Sequence, residues 1–276
     1  MYFWRDMDTA LINGVMVETV TLPSDALERT VKLNCYLPPV PAAQGSVPVL
    51  FLNDGQDMEA IGLDRILNDL YAANAIKPMM VVAIHCGEDR KNEYGMIHSM
   101  DFKGRGAKAP QYQQFILEEL LPYCCYRYPV IIRGEKAFAG FSLGALSALD
   151  IAWNNPRVFS TVGVFSGSLW WRSKDKTERD YNEYRDRLMH RQIREGVYHP
   201  GQRFFFEVGE KDETEDRNKN GVIDTIDDTI DCMRELMHKG YMEGKDMKYL
   251  QLPDGRHDVE TWARAMPAFL KWAWPA

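Results

Sequence analysis

The chain has 276 residues, 45% of them hydrophobic, and its 33 Lys and Arg against 40 Asp and Glu give a net charge of −7. That supplies enough apolar material for one large core, and the acidic balance argues against nucleic acid or an anionic membrane surface as the main partner. No apolar run reaches the roughly 18 residues a membrane span needs. The opening Met1-Tyr2-Phe3-Trp4-Arg5-Asp6-Met7-Asp8 lacks the basic-then-apolar form of a signal peptide, so a cytoplasmic location is expected, or a secreted or periplasmic one if a leader has been removed.

In chain order, the alternation of Val15, Val17, Thr19 and Thr21 predicts a strand over 16–22, and 30–37 reads as its antiparallel neighbour. The continuous apolar run 47–52 suits a strand buried on both faces. It ends in the turn-rich Asn53-Asp54-Gly55-Gln56-Asp57-Met58. A helix over 63–73 and a buried strand over 79–84 follow. The long polar segment through Arg90, Glu93, Tyr94, His98 and Arg105 exceeds a simple connection and reads as the wall of a site. Pro110 opens a helix bearing Tyr112, Phe115, Ile116, Leu120 and Leu121 on one side.

Further strands are expected at 136–139, 161–165, 203–208 and 248–252, and helices at 145–152, 226–239 and 259–272. The charged stretch of about 173–198 is helix-compatible and reads as a solvated excursion. The five cysteines, Cys35, Cys86, Cys124, Cys125 and Cys232, are odd in number and show no paired spacing, so they are read as free thiols. No linker-like composition interrupts the chain, and one domain over 1–276 is expected. Strands alternating with helices after an antiparallel opening predict an α/β fold, a mostly parallel twisted sheet of about eight strands with helices on both faces. Reactive groups then gather at the carboxyl ends of the strands.

The stretch with the strongest chemical content is Gly140-Phe141-Ser142-Leu143-Gly144, a G-x-S-x-G between a short apolar strand and a helix. A strand, sharp turn and helix present the serine hydroxyl at the tip of the turn, as a nucleophile elbow does. A hydroxyl is a weak nucleophile at neutral pH and needs a base with a fixed tautomer. His257, in Pro253-Asp254-Gly255-Arg256-His257-Asp258 after the last strand, is the best placed of six histidines. His190, His199 and His238 read as solvated; His85 and His98 lie nearer the site. The acid is expected at Asp212, with Glu210 and Glu213 close enough in sequence to compete. The developing oxyanion needs two donors, read as the N–H groups of Leu143 and of Gln56, where Gly55 lets the chain turn.

With Leu52-Asn53-Asp54-Gly55-Gln56, Arg90 with Glu93-Tyr94, the elbow, Ser166-Gly167-Ser168-Leu169-Trp170-Trp171, Gly209-Glu210-Lys211-Asp212 and Gly255-Arg256-His257-Asp258 in this order, the chain resembles the putative esterase family of α/β-hydrolases, which includes feruloyl esterases, enterochelin esterases and mycolyltransferases. The resemblance covers nearly the whole chain from about Val47. It implies an α/β-hydrolase fold, with Ser142 as nucleophile, Asp212 as acid, His257 as base and Gln56 with Leu143 as the oxyanion hole. Ala145 stands where relatives often carry a second glycine.

Asp54, Tyr94, His98, Trp170 and Trp171 are expected to meet substrate. Asp216, Asn218, Asn220, the Val222 carbonyl, Asp224 and Asp227 match the oxygen positions of a calcium loop over 216–227, with Gly221 at its turn. Asp227 replaces the usual bidentate Glu, so weak, structural calcium is expected, and no cofactor for catalysis. The expected function is a serine carboxylic-ester hydrolase working through an acyl-enzyme on an acylated carbohydrate or hydroxycinnamoyl ester. The alternatives are a siderophore lactone esterase, an acyltransferase with the same triad and a non-catalytic binding protein on this fold.

Overall fold

The computed structural model describes residues 14–39, 46–128 and 134–276; the opening segment Met1 to Asp8 lies outside them. Eight strands are described: β1 (Met16–Ser24), β2 (Arg29–Leu37), β3 (Val49–Asn53), β4 (Met80–Ile84), β5 (Lys136–Phe141), β6 (Thr161–Phe165), β7 (Arg203–Lys211) and β8 (Met247–Arg256). They form one sheet in the order β1-β2-β4-β3-β5-β6-β7-β8. Pairing is antiparallel from β1 to β2 and from β2 to β4, and parallel everywhere else.

The central strands β3, β4 and β6 are buried at every residue, as continuous apolar runs in a two-sided parallel sheet should be. Because side chains alternate along a strand, the sheet separates two cores. On one face Phe51, Val82, Phe138, Val164 and Phe206 pack with the helical segment 109–127 (α2), with α3 (Leu143–Asn154), with α4 (Leu188–Glu195) and with α5 (Asp224–Lys239). On the other, Leu52, Ala83, Ala139, Phe141 and Phe205 pack with α1 (Leu63–Ala72) and α6 (Val259–Ala273). No helix among the described residues is long and apolar enough to cross a membrane.

Two expectations change. The stretch 173–198 is helical only at Glu183–Asp186 and in α4, and α4 is not solvated. Leu188, Met189, His190 and Ile193 are buried against α5, while Arg187 bonds Asp228 and Asp231 at 2.9 Å each and Arg194 holds Glu235. Its charges look inward to partners, which is why charge density misled the sequence reading, and His190 is a core residue. Second, β7 and β8 run several residues past their apolar runs, paired out to Lys211 and Arg256. Gly209 and Gly255 permit that, since a Cβ on Gly209 would stand 2.4 Å from the Gly255 carbonyl carbon.

Candidate active site

Four strand ends converge. At the end of β5, Ser142 takes φ 55°, ψ −121° before α3 begins at Leu143, a left-handed φ that costs energy in any residue with a Cβ. Surrounding contacts hold it there: Ser142 N–H donates to Phe165 O (2.9 Å) and Ser142 O accepts from Ser168 N–H (3.0 Å). Gly140 cannot be larger, because a Cβ there would lie 2.5 Å from the carbonyl group of Gly144. Gly144 likewise has Asp54 Oδ2 2.6 Å from its Cβ position. The Ser142 hydroxyl lies 3.5 Å from that of Ser168.

The extended β7 and β8 deliver the next two groups. Asp212 follows directly on Lys211 and His257 directly on Arg256, and Lys211 pairs with Arg256 beyond a register shift that follows Gly209, which brings the two side by side, with His257 Nδ1 3.9 Å from Asp212 Oδ2. The Asp212 side chain has no exposed surface, whereas that of His257 is 38% exposed. Burial pushes the Asp212 carboxyl up, and the neighbouring Ser166 hydroxyl and His257 oppose that shift. Glu210 is exposed and accepts from Gln251, while Glu213 accepts from the N–H of Thr225 at the start of α5 (2.7 Å). Of the three acids open in the sequence, geometry therefore puts Asp212 beside the histidine. The following helix fixes His257 in turn: Asp258 caps α6 through Thr261 N–H (2.9 Å), and Arg256 N–H bonds Thr261 Oγ1 (2.8 Å). The edge of the Trp262 indole meets the His257 ring, with centroids 5.4 Å apart.

After β3, Asp54 is the residue with positive φ (61°). Gly55 is required instead for close approach, since its Cβ would fall 2.7 Å from the Ala83 backbone of β4. This corrects the sequence expectation that Gly55 makes the turn. Gln56 lies in the opening turn of Gly55–Asp57 and Leu143 in that of α3, where the first N–H groups have no intrahelical acceptor. Arg90 grips the buried Asp54 through two bonds of 2.7 Å, and Arg29 grips Glu93 in the same way. Asn53 links the loop to the elbow, donating to Gly144 O (2.8 Å) and accepting from Tyr112 Oη (2.5 Å).

Asp54, Tyr94 and Trp171 are 1%, 0% and 0% exposed, so they back the wall rather than face a ligand. Tyr94 Oη accepts from Asp54 N–H (3.3 Å), and Trp171 Nε1 donates to Ser99 O (3.0 Å). Trp170 and His98 remain accessible, and the Arg105 guanidinium covers the Trp170 ring at 4.7 Å. Asn53 and Ser166 stand in the sequence motifs without a role of their own, and Glu207 stands in none of them. For Asn53 and Glu207 the signal was present, a polar residue closing one apolar run and a lone carboxylate inside Phe-Phe-Phe-Glu-Val.

In the loop 216–227, Gly221 has φ 86° and its N–H donates to Asp216 (2.9 Å). Asn218 and Asn220 both donate to Asp227 Oδ2, at 2.7 and 3.0 Å. The two asparagines thus meet Asp227 through their amide nitrogens, while their oxygens and those of Asp216 accept backbone N–H groups of the same turn. Asp224 is drawn away by Arg217 and Lys176, and no cluster of three or more His, Cys, Asp or Glu suited to a metal occurs among the described residues.

Residues 24–273 match the family model described as "Putative esterase". An endo-1,4-beta-xylanase/feruloyl esterase of Xylanibacter ruminicola is 25% identical over 174 residues, covering 58% of this chain and 22% of that protein. The enterobactin esterase of Shigella flexneri superimposes with a TM-score of 0.72 at 19% identity, over 94% of this chain and 58% of that one. A ferulic acid esterase gives a TM-score of 0.66 at 17% identity over 94% and 97%. The chain thus spans about a fifth of that xylanase/esterase and little more than half of the enterobactin esterase. At these identities the structural likeness establishes the fold.

Proposed function

The chain belongs to the esterase family, and from that premise we propose that it is an ester hydrolase working through an acyl-enzyme on Ser142, with His257 as base and Asp212 as acid. The observation that carries this reading is the buried Asp212 carboxylate 3.9 Å from His257 Nδ1, at strand ends shared with the strained Ser142. His257 takes the hydroxyl proton as Ser142 attacks the ester carbonyl, and Asp212 stabilises the imidazolium that forms. The N–H groups of Leu143 and Gln56 receive the oxyanion. His257 then protonates the departing alcohol, and water cleaves the acyl-enzyme by the same route. Ser142→Ala is expected to abolish hydrolysis of p-nitrophenyl acetate while leaving the circular dichroism spectrum intact; undiminished turnover would exclude the mechanism.

For substrate we propose an acylated carbohydrate or hydroxycinnamoyl ester, supported by the feruloyl esterase relatives. The likeness to an enterobactin esterase supports a siderophore lactone as the second reading. Comparing kcat/KM on acetyl, feruloyl and lactone esters separates the two.

A weak structural calcium ion at Asp216, Asn218, Asn220, the Val222 carbonyl and Asp227 is proposed as well, supported by the loop spacing and by the meeting of Asn218 and Asn220 with Asp227. It would supply no chemistry, only stiffness in the segment that follows Asp212. Calcium should then raise the melting temperature by a few degrees and chelator reverse it; indifference to both removes the ion from the account.

A further inference from the structure

Behind the Asp212 and His257 pair lies a second carboxyl group that the mechanism leaves unused. Glu207 on β7 is 0% exposed. Its Oε2 is 3.5 Å from Ser166 Oγ, and its Oε1 has no hydrogen-bond partner. No cation pairs with it among the described residues. Arg264 on α6, which acts on it from a distance, is tied to Asp254 at 2.7 and 3.1 Å. The other titratable groups that face it are Asp212 and Tyr249 of β8. A buried carboxylate with no cation beside it is costly to keep ionised, and burial together with the repulsion of Asp212 raises this group to about 8.

Ser166 stands between the two acids. Its φ of 44° is strained, it is 1% exposed, and its N–H is fixed by Glu207 O (2.9 Å). A serine hydroxyl has one proton to give and two lone pairs to fill. Trp262 Nε1 fills one at 3.0 Å. The Asp212 carboxylate has the Ser166 hydroxyl, His257, the Gly209 backbone and the Asp258 carboxylate as its polar neighbours and no closed hydrogen bond in the resting site, a looseness that free enzymes often show.

We propose that Glu207 is held as a neutral acid that positions Asp212 through Ser166: protonated Glu207 donates to Ser166 Oγ, which therefore turns its own proton to the Asp212 carboxylate. When Glu207 loses its proton to solvent base, it becomes an acceptor, draws the Ser166 hydroxyl to itself and leaves Asp212 without that donor. Glu207 and Ser166 are positioning residues, and ionisation of Glu207 produces an alkaline decline in turnover that belongs to neither Ser142 nor His257. The inference rests on the reading of Asp212 as the acid.

The test is the pH dependence of kcat and KM for p-nitrophenyl acetate in the wild type, Glu207→Gln and Ser166→Ala. Glutamine keeps a donor that cannot ionise. Wild-type kcat is expected to fall with a midpoint near 8. Glu207→Gln should keep neutral-pH kcat within about threefold and lose the decline. Ser166→Ala should lower kcat about tenfold at unchanged KM, the worth of one hydrogen bond to a charged group, and should also lose the decline. An unchanged alkaline limb in Glu207→Gln overturns the proposal. If Glu207→Gln does not fold, an infrared titration of the wild type decides: a protonated-carboxyl band that persists at neutral pH and vanishes near 8 supports the neutral acid, and its absence overturns it. Asp212→Asn tests the underlying triad separately, for an Asn variant with full activity would remove Asp212 from catalysis whatever the infrared band shows.

Discussion

Asp54 is a carboxylate with 1% exposure whose charge is balanced by a guanidinium that also reaches Phe141 O at 3.5 Å. Removing one member of a buried ion pair leaves an uncompensated charge, at a cost of about 3–5 kcal/mol. Arg90→Leu is therefore expected to lower the urea midpoint strongly. It should also slow turnover more than it raises KM, because Asp54 precedes the loop that carries Gln56. A variant with wild-type stability and kcat would show that Arg90 is a surface side chain. At this scale the strand-end positions of Ser142 and His257 could be read in the chain because turn chemistry marks them locally. Ser166 and Glu207 could not, since 41 residues separate them and only the pairing of β6 with β7 brings them together.

The helices and strands were legible to within a few residues where a continuous apolar run marked a strand, as in β3 and β4, or one helical period dominated, as in α5. Legibility failed in α4, where Arg187 and Arg194 read as solvent-facing charges until α5 supplies their acids. His190 shows how deeply that element is built in: it is 0% exposed and its Nε2 lies 2.9 Å from Asp228 O. Because a carbonyl can only accept, Nε2 carries the proton and Nδ1 is bare. Burial, aided by Arg187, pushes this histidine down to about 3. Between that value and the 6.5 of an unfolded histidine, the unfolded chain binds a proton that the fold refuses, so stability is lost as pH falls below 6.5. His190→Gln should flatten that loss in urea melts between pH 6.5 and 4.5. If the wild type and the variant run parallel, the histidine is not buried in its neutral form.

Across the whole molecule, the sheet does two jobs. It separates two cores, and it gathers at one edge a set of polar groups that those cores leave dry. The fold class was readable from apolar runs alternating with helices, but the strand order was not. That order makes β7, which carries Glu207 and leads into Asp212, the neighbour of both β6 and β8, and so sets Ser166 between the two acids and His257 beside the second. The consequence for global stability has a definite sign. Glu207 holds its proton up to about 8 in the fold, against 4.5 in an unfolded chain, so between those values the folded state binds the extra proton and rising pH favours unfolding by about 1.4 kcal/mol per unit. Asp150, buried under Ile97 N–H and Gln192 and raised to about 6, acts in the same direction but finishes at lower pH. His190 opposes both, but only below 6.5. From pH 6.5 to 8, then, the difference between the wild type and Glu207→Gln isolates one group. The wild-type urea midpoint should fall across that window while the glutamine variant loses that slope. Equal slopes would mean that Glu207 is already ionised at neutral pH and that its charge is balanced by water or a cation inside the fold.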